Sequence, residues 1–155
     1  FHIVNPLGQI YRNEMTDVEA SITGDFNNNM KKIYNTSNAP SPLGPYNQAV
    51  MAGNMFFISG QIAINSKSGE LVINNVRDET KQVMENLKAV LNSANLDFKN
   101  IVKTSIFITS MNDFNDINDV YGSYFEKGQE PARETVEVAK LPAGVNVEIS
   151  MIAII

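Results

Sequence analysis

"PARETVEVAKLPAGVNVEISMIA", Pro131 to Ala153, is the stretch from which the fold can be read. Two runs rich in Val and Ile flank "KLPAG" (Lys140 to Gly144), whose proline and glycine mark a turn. Ala132 to Val138 and Val145 to Ile154 therefore read as the two closing strands. Strand alternation places Arg133, Thr135 and Glu137 on one face of the first strand and Glu134, Val136 and Val138 on the other. In the second strand Glu148 shares a face with Asn146 and Ser150 before that face turns to Ile152 and Ile154. A carboxylate in the most apolar strand of the chain needs either a partner or a raised pKa.

Working outward, "KKIYN" (31–35), Tyr46 to Met51 and Met55 to Ile64 read as three earlier strands, the last two joined at "AGN". "NSKSGEL" (65–71) is a further turn. Val76 to Ala94 changes period: Val83, Leu87, Val90, Leu91 and Ala94 recur at helical spacing. Asn75 can cap that helix, and Asp78 and Glu79 suit its first turn. Asn100 to Thr109 reads as a strand. A second helix is expected from Ser110-x-x-Asp113, with Phe114, Ile117, Tyr121 and Tyr124 as its apolar stripe and Gly128 and Pro131 as its stop. The sum is about six strands and two helices in one α+β domain over 31–155.

Two helices cover one face of such a sheet, yet "MFFISG" and "ISMIAII" are apolar on both faces. The uncovered face must be buried, either against copies of the chain in a closed oligomer, with sites between subunits, or against the first 30 residues. Residues Phe1 to Met30, with "GDFNNNM", read as a loosely ordered or accessory extension; an edge strand at "FHIVN" is the alternative. The expected compartment is the cytoplasm, or an organelle if a targeting segment preceded Phe1.

Composition narrows the chemistry. The 155 residues carry 12 Lys and Arg against 17 Asp and Glu, a net charge of −5, and the only adjacent basic pair is Lys31-Lys32. That balance argues against a surface built to grip phosphate backbones. Cysteine is absent and His2 is the only histidine, so thiolate nucleophiles, cysteine metal sites, His-x-x-x-His sites and histidine triads are excluded. No apolar run reaches the roughly 18 residues of a membrane span. Chemistry must run on carboxylates, hydroxyls, Arg, Lys and backbone groups.

Four features remain as candidates. Arg133 can offer a two-pronged donor to a carboxylate, or can simply pair with Glu137. Arg77, in a helical first turn, reads as a surface ion pair, and Arg12 lies in the extension. Glu148 can hold a water and take its proton, or be a structural acid paired with Lys103 or Lys140. In "ISGQ", Ser59 and Gly60 leave a gap in a bulky strand, for a ligand or for a packed helix. "SNAPSPLGPYNQAV" (37–50) is a loop stiffened by Pro40, Pro42 and Pro45 that ends on Tyr46.

In order and spacing, "SPLGPYNQAV", "FISGQI" and "PARETVEVAKLPAGVNVEISMIA" resemble the RidA/YjgF family of imine deaminases over Lys31 to Ile155. The resemblance implies a chorismate-mutase-like fold and a homotrimer whose sheets form a central barrel with three clefts between subunits. It implies hydrolysis of reactive enamines and imines, such as 2-aminoacrylate/2-iminopropanoate and 2-iminobutanoate, to 2-keto acids and ammonia. These compounds are released by pyridoxal-phosphate enzymes, and the family works without a metal or organic cofactor.

The family's motif positions put Arg133 on the substrate carboxylate and Tyr46, Ser59 and Gly60 along the cleft. They put Asn118 near the site on a helix, Thr135 where many members have Cys or Thr, and Glu148 at the attacking water. Glu134 departs from the small or apolar residue usual after the arginine; alternation should point it away. Some relatives are described as single-strand endoribonucleases or translation inhibitors, for which this chain lacks a histidine pair and a basic patch. A non-catalytic small-molecule binder or chaperone-like trimer stays open.

Overall fold

The computed structural model describes residues 31–155. The extension expected over Phe1 to Met30, with its alternative strand, lies outside the described residues. Strands β1 (Lys32–Tyr34), β2 (Ala49–Ala52), β3 (Met55–Gln61), β4 (Ile101–Ile108), β5 (Ala132–Glu137) and β6 (Val147–Ile154) form one six-stranded sheet in the order β1-β2-β3-β6-β4-β5. Helices α1 (Val76–Asn92) and α2 (Phe114–Gly122) complete the regular elements. Neighbouring strands are antiparallel except β4 and β5, which run parallel.

The last strand is a central one. β6 lies between β3 and β4 and is antiparallel to both, so β3 and β4 run the same way and need a crossover, which α1 supplies. α2 is the crossover between β4 and β5. This placement explains the apolar character of "VEISMIAI". Val147, Ile149, Met151 and Ala153 are buried in the helix-covered face. There they meet Val83, Met84, Leu87, Val90 and Leu91 of α1 in one core with Phe56, Ile106 and Ile108.

Asn75 caps α1 as expected: its side-chain oxygen accepts from Asp78 N at 2.9 Å. The expected start and end of the second helix need correction. A 3-10 turn, Met111–Asp113, comes first, and Ser110 Oγ accepts from Asn112 N rather than closing a capping box with Asp113. The Glu137 carboxylate, at the end of β5, accepts from Met111 N at 2.7 Å and ties the turn to the sheet. α2 then ends at Gly122, well before Gly128. Tyr124, beyond that end, packs edge-on to Phe98 and donates to Glu85.

Two strands are shorter than expected. β2 begins at Ala49, because Tyr46 to Gln48 still belong to the proline loop, and β3 stops at Gln61, leaving Ile64 only an isolated bridge to Leu71. The "AGN" turn is as expected: Ala52 faces Met55 across a two-residue loop, and Gly53 takes the left-handed φ of +61° that the turn requires.

Among the described residues no helix covers the other face of the sheet. Ile33, Phe57, Val136 and Ile154 stand on it at 39–51% exposure, an apolar surface of the kind that monomers rarely leave open.

Candidate active site

The proline loop is held from within by Gln48, a buried side chain. Its Oε1 accepts from Thr36 N at 2.6 Å, and its Nε2 donates to the carbonyls of Thr36, Ala39 and Pro40 at 2.8–3.2 Å. All of its amide hydrogen-bonding groups are spent on the loop backbone, which prolines cannot satisfy by themselves. Tyr46 closes the loop on itself. Its N–H donates to Gly44 O at 2.8 Å, its hydroxyl accepts from Leu43 N at 3.1 Å, and its ring lies over Gly44.

This loop faces a bulge in β3. Ile58 pairs with Met151, but Gln61 pairs with Ile149, so three steps along β3 match two along β6. The extra residue sits at Ser59-Gly60 and re-aims the strand there. Ser59 is pinned to the loop by its Oγ, which donates to Asn47 O at 2.6 Å, and by its N–H, which donates to Gln48 O at 3.0 Å. Gly60 is required by what it faces. A Cβ there would lie 2.0 Å from Glu148 Oε1 and 2.9 Å from its carboxyl carbon. The gap at Gly60 thus receives the Glu148 carboxylate, not a packed helix.

Glu148 is half-buried, and no cation among the described residues pairs with it. Lys103, one of the partners considered for it, is taken by Glu134. Burial pushes the Glu148 carboxyl above its ordinary range. With Tyr46, Ser59, Gly60, Leu43 and Ile62 it lines a cleft of about 320 Å³. A second buried amide, Asn86 on α1, supports the floor by donating to Ile62 O and Ile64 O at 3.0 and 2.9 Å.

Arg133 lies elsewhere. It opens β5, the sheet's edge strand, opposite Thr104 and on the helix-covered side. Its Nη1 donates to Asn118 Oδ1 of α2 at 2.6 Å. The guanidinium lies 5.1 Å from the ring centre of Tyr121 and 5.8 Å from that of Phe114, within cation–π range. The Tyr121 hydroxyl is bonded to Thr104 Oγ1 at 3.1 Å, which steadies the ring beneath the arginine. Glu137 caps α2's entry turn and leaves Arg133 free of it. Two residues along β5 and on the same face, Thr135 keeps a buried hydroxyl without a hydrogen-bond partner among the described residues.

Glu134 points away from Arg133, as alternation required. Lys103 Nζ and Ser105 Oγ both donate to its carboxylate on the opposite face and hold it below the usual carboxylate range. Arg77 makes the expected surface pair, with Asp116 at 2.7 Å and Asp119 at 3.3 Å.

The seven expected residues therefore form two half-sites within one chain. Tyr46, Ser59, Gly60 and Glu148 come together in the cleft; Arg133, Asn118 and Thr135 come together at the β5 edge. Arg133 and Glu148 do not meet, because they stand on opposite faces of the sheet with β4 between their strands. Among the described residues no group of three or more His, Cys, Asp or Glu is placed to hold a metal ion, and no helix is long and apolar enough to cross a membrane. Gln48, Asn86 and Tyr121 are supporting residues that sequence reasoning missed. Tyr121 carried only a core signal, and a buried glutamine or asparagine looks like any surface amide until its partners are known.

A six-stranded mixed sheet with two helices on one face and a motif-bearing edge strand defines the chorismate-mutase-like class of α+β proteins. The chain belongs to the Endoribonuclease L-PSP family, the RidA/YjgF family, whose sequence model matches residues 36–155. It is 47% identical over 124 residues to a RutC family protein of Pyrococcus horikoshii, covering 80% of this chain and 98% of that one. It is 43% identical over 125 residues to the 2-iminobutanoate/2-iminopropanoate deaminase of Mus musculus, covering 81% and 92% of the two chains. Among solved structures, E. coli TdcF with bound serine superposes with a TM-score of 0.76 at 42% identity, covering 80% of this chain and 98% of that one.

Proposed function

We propose that the protein hydrolyses small carboxylate-bearing enamines and imines to 2-keto acids and ammonia, in clefts that two copies of the domain over 31–155 build together. The observation that carries this reading is the half-buried Glu148 carboxylate, unpaired and lodged against Gly60 in an open cleft. The deaminase name of the murine relative supports this reaction class. The apolar outer face, with Ile33, Phe57, Val136 and Ile154 exposed, is the surface on which a homotrimer with a central barrel would close.

One copy supplies Arg133, oriented by Asn118, to bind the substrate carboxylate through two parallel N–H donors. The next copy supplies the cleft of Tyr46, Ser59, Gly60 and Glu148. Water attacks the electrophilic C=N carbon while Glu148 takes its proton, which leaves a tetrahedral carbinolamine. Glu148 passes that proton to the nitrogen, the C–N bond breaks as the hydroxyl gives up its own proton, ammonia leaves, and the carbon retains the oxygen as a ketone. The carbinolamine decays to products without a redox step, so no external reductant or oxidant enters the balance.

Cleavage of single-stranded RNA is the less supported reading. Among the described residues no Lys, Arg or His lines the cleft, which suits a small anion met by one arginine better than a polyanion. The test is ammonia release from freshly generated 2-aminoacrylate, with Arg133→Ala as control. Acceleration by the wild type that the variant lacks supports the reading; equal rates with both proteins contradict it.

A further inference from the structure

Glu79, in the first turn of α1, is the most deeply buried acid of the described chain, at 0% exposure. No cation among the described residues pairs with it. Its Oε1 accepts from Asn146 N at 2.6 Å and Val147 N at 3.0 Å, and its Oε2 accepts from Asn146 Nδ2 at 2.9 Å. Burying an acid costs more than burying an apolar side chain of the same size, even when hydrogen bonds satisfy it. The packing of α1 does not call for one: Val83, Met84, Leu87, Val90 and Leu91 already fill the core.

What Glu79 grips is the start of β6. Asn146 is held from the other side as well, because its carbonyl accepts from Thr109 N at 3.1 Å and its Oδ1 lies 3.3 Å from Thr109 Oγ1. Val147 is the residue before Glu148. About two turns further along the same face of α1, Asn86 holds the carbonyls of Ile62 and Ile64, just after Gly60. One helix therefore pins both strands at the point where the Glu148 carboxylate meets Gly60.

We propose that Glu79 is a positioning residue for Glu148: from inside the core it fixes Asn146 and Val147, and through them the depth at which the Glu148 carboxylate is held against Gly60. The catalytic use of that depth rests on the reading under Proposed function; the positioning itself does not. Burial is the cause of the raised Glu148 pKa, and no charged group among the described residues contributes to it. A loosened Glu148 reaches water and loses that rise.

The test follows the Glu148 carboxyl by carbon-13 NMR through a pH titration of the whole protein, with the resonance assigned by Glu148→Gln. Wild type, Glu79→Ala, Glu79→Asp and Glu79→Gln are compared. In Glu79→Ala the Glu148 midpoint moves down toward the ordinary carboxylate range. Glu79→Asp, too short to reach both backbone N–H groups, gives the same direction with the acid kept, and reports even if the alanine variant fails to fold. Glu79→Gln keeps the wild-type midpoint: its oxygen still accepts from both backbone groups, and a flip of the Asn146 amide accommodates its NH2.

In parallel, kcat for imine hydrolysis falls on the order of 10- to 100-fold in the alanine and aspartate variants with KM little changed, and the glutamine variant restores it. A merely structural role lowers thermal stability without moving the Glu148 midpoint. A folded Glu79→Asp or Glu79→Ala protein with an unmoved or raised midpoint overturns the proposal. Because the titration needs no turnover, failure of the wild type to release ammonia counts against the deaminase reading alone.

Discussion

The two half-sites are built on opposite principles. At the β5 edge a permanent charge is held in place by soft partners: Arg133 lies over Tyr121 and Phe114 and is oriented by one bond to Asn118. In the cleft a titratable acid is kept without any cation among the described residues, and burial raises its pKa. Within one chain the sheet separates the two. Within the chain, Arg133 is therefore no partner for Glu148 and stays bonded to Asn118 at 2.6 Å.

The sharpest way to break this comparison is at the acid. Glu148→Gln keeps size and loses the base, so kcat for imine hydrolysis falls by roughly 10²- to 10⁴-fold. The same contrast predicts the pH profile. A carboxyl with a raised pKa takes up its proton at a higher pH than an ordinary one, so activity is full above that pKa and is lost as pH falls through it. In kcat/KM the acid limb lies above the usual carboxylate value of 4.5, and an ordinary or lower midpoint breaks the assignment.

At the other half-site Arg133→Ala lowers kcat/KM on the order of 10²-fold, through lost carboxylate binding, with the fold and assembly unchanged by circular dichroism and sedimentation. Gly60→Ala comes next. The new Cβ must displace Glu148 Oε1, 2.0 Å away, so activity falls roughly tenfold or more while the carboxylate, at the free end of its side chain, moves enough for the protein to fold. Asn118→Ala is the mildest: one charge-assisted bond is lost, KM rises about tenfold, and kcat is nearly kept.

Strand alternation made much of this legible. It placed Glu134 on the face opposite Arg133, where Lys103 and Ser105 now hold it, and it placed Glu148 with Ser150 and Ile152. Two apolar faces with two helices to cover them pointed to an open sheet face, and Ile33, Phe57, Val136 and Ile154 stand on one. Asn118 came from the family resemblance, not from spacing.

What stayed hidden depends on register and on long-range partners. The bulge at Ser59-Gly60 is a mismatch between β3 and β6, far apart in the chain, so no local pattern encodes it. Gln48, Glu79 and Asn86 are buried because of carbonyls and N–H groups supplied by distant segments. α2 ends early because its bonding tightens from i→i−4 to i→i−3 just past Gly122, where the N–H groups of Tyr124 and Phe125 bond to Tyr121 O and Gly122 O at 3.2 Å, before the glycine and proline that looked like stop signals. In the proline loop, Tyr46 reads as the start of a strand by composition, but its bonds to Gly44 O and Leu43 N fold it back across the loop.

The central claim is that a working site takes Arg133 from one copy and Glu148 from another. Its most direct test is complementation between Arg133→Ala and Glu148→Gln, each inactive alone, co-expressed and purified as mixed assemblies. If each cleft draws its halves from neighbouring chains, random mixing leaves roughly a quarter of the clefts with both wild-type groups, and imine hydrolysis returns to about that fraction of the wild-type rate. Mixed assemblies no more active than the parent variants would contradict the account.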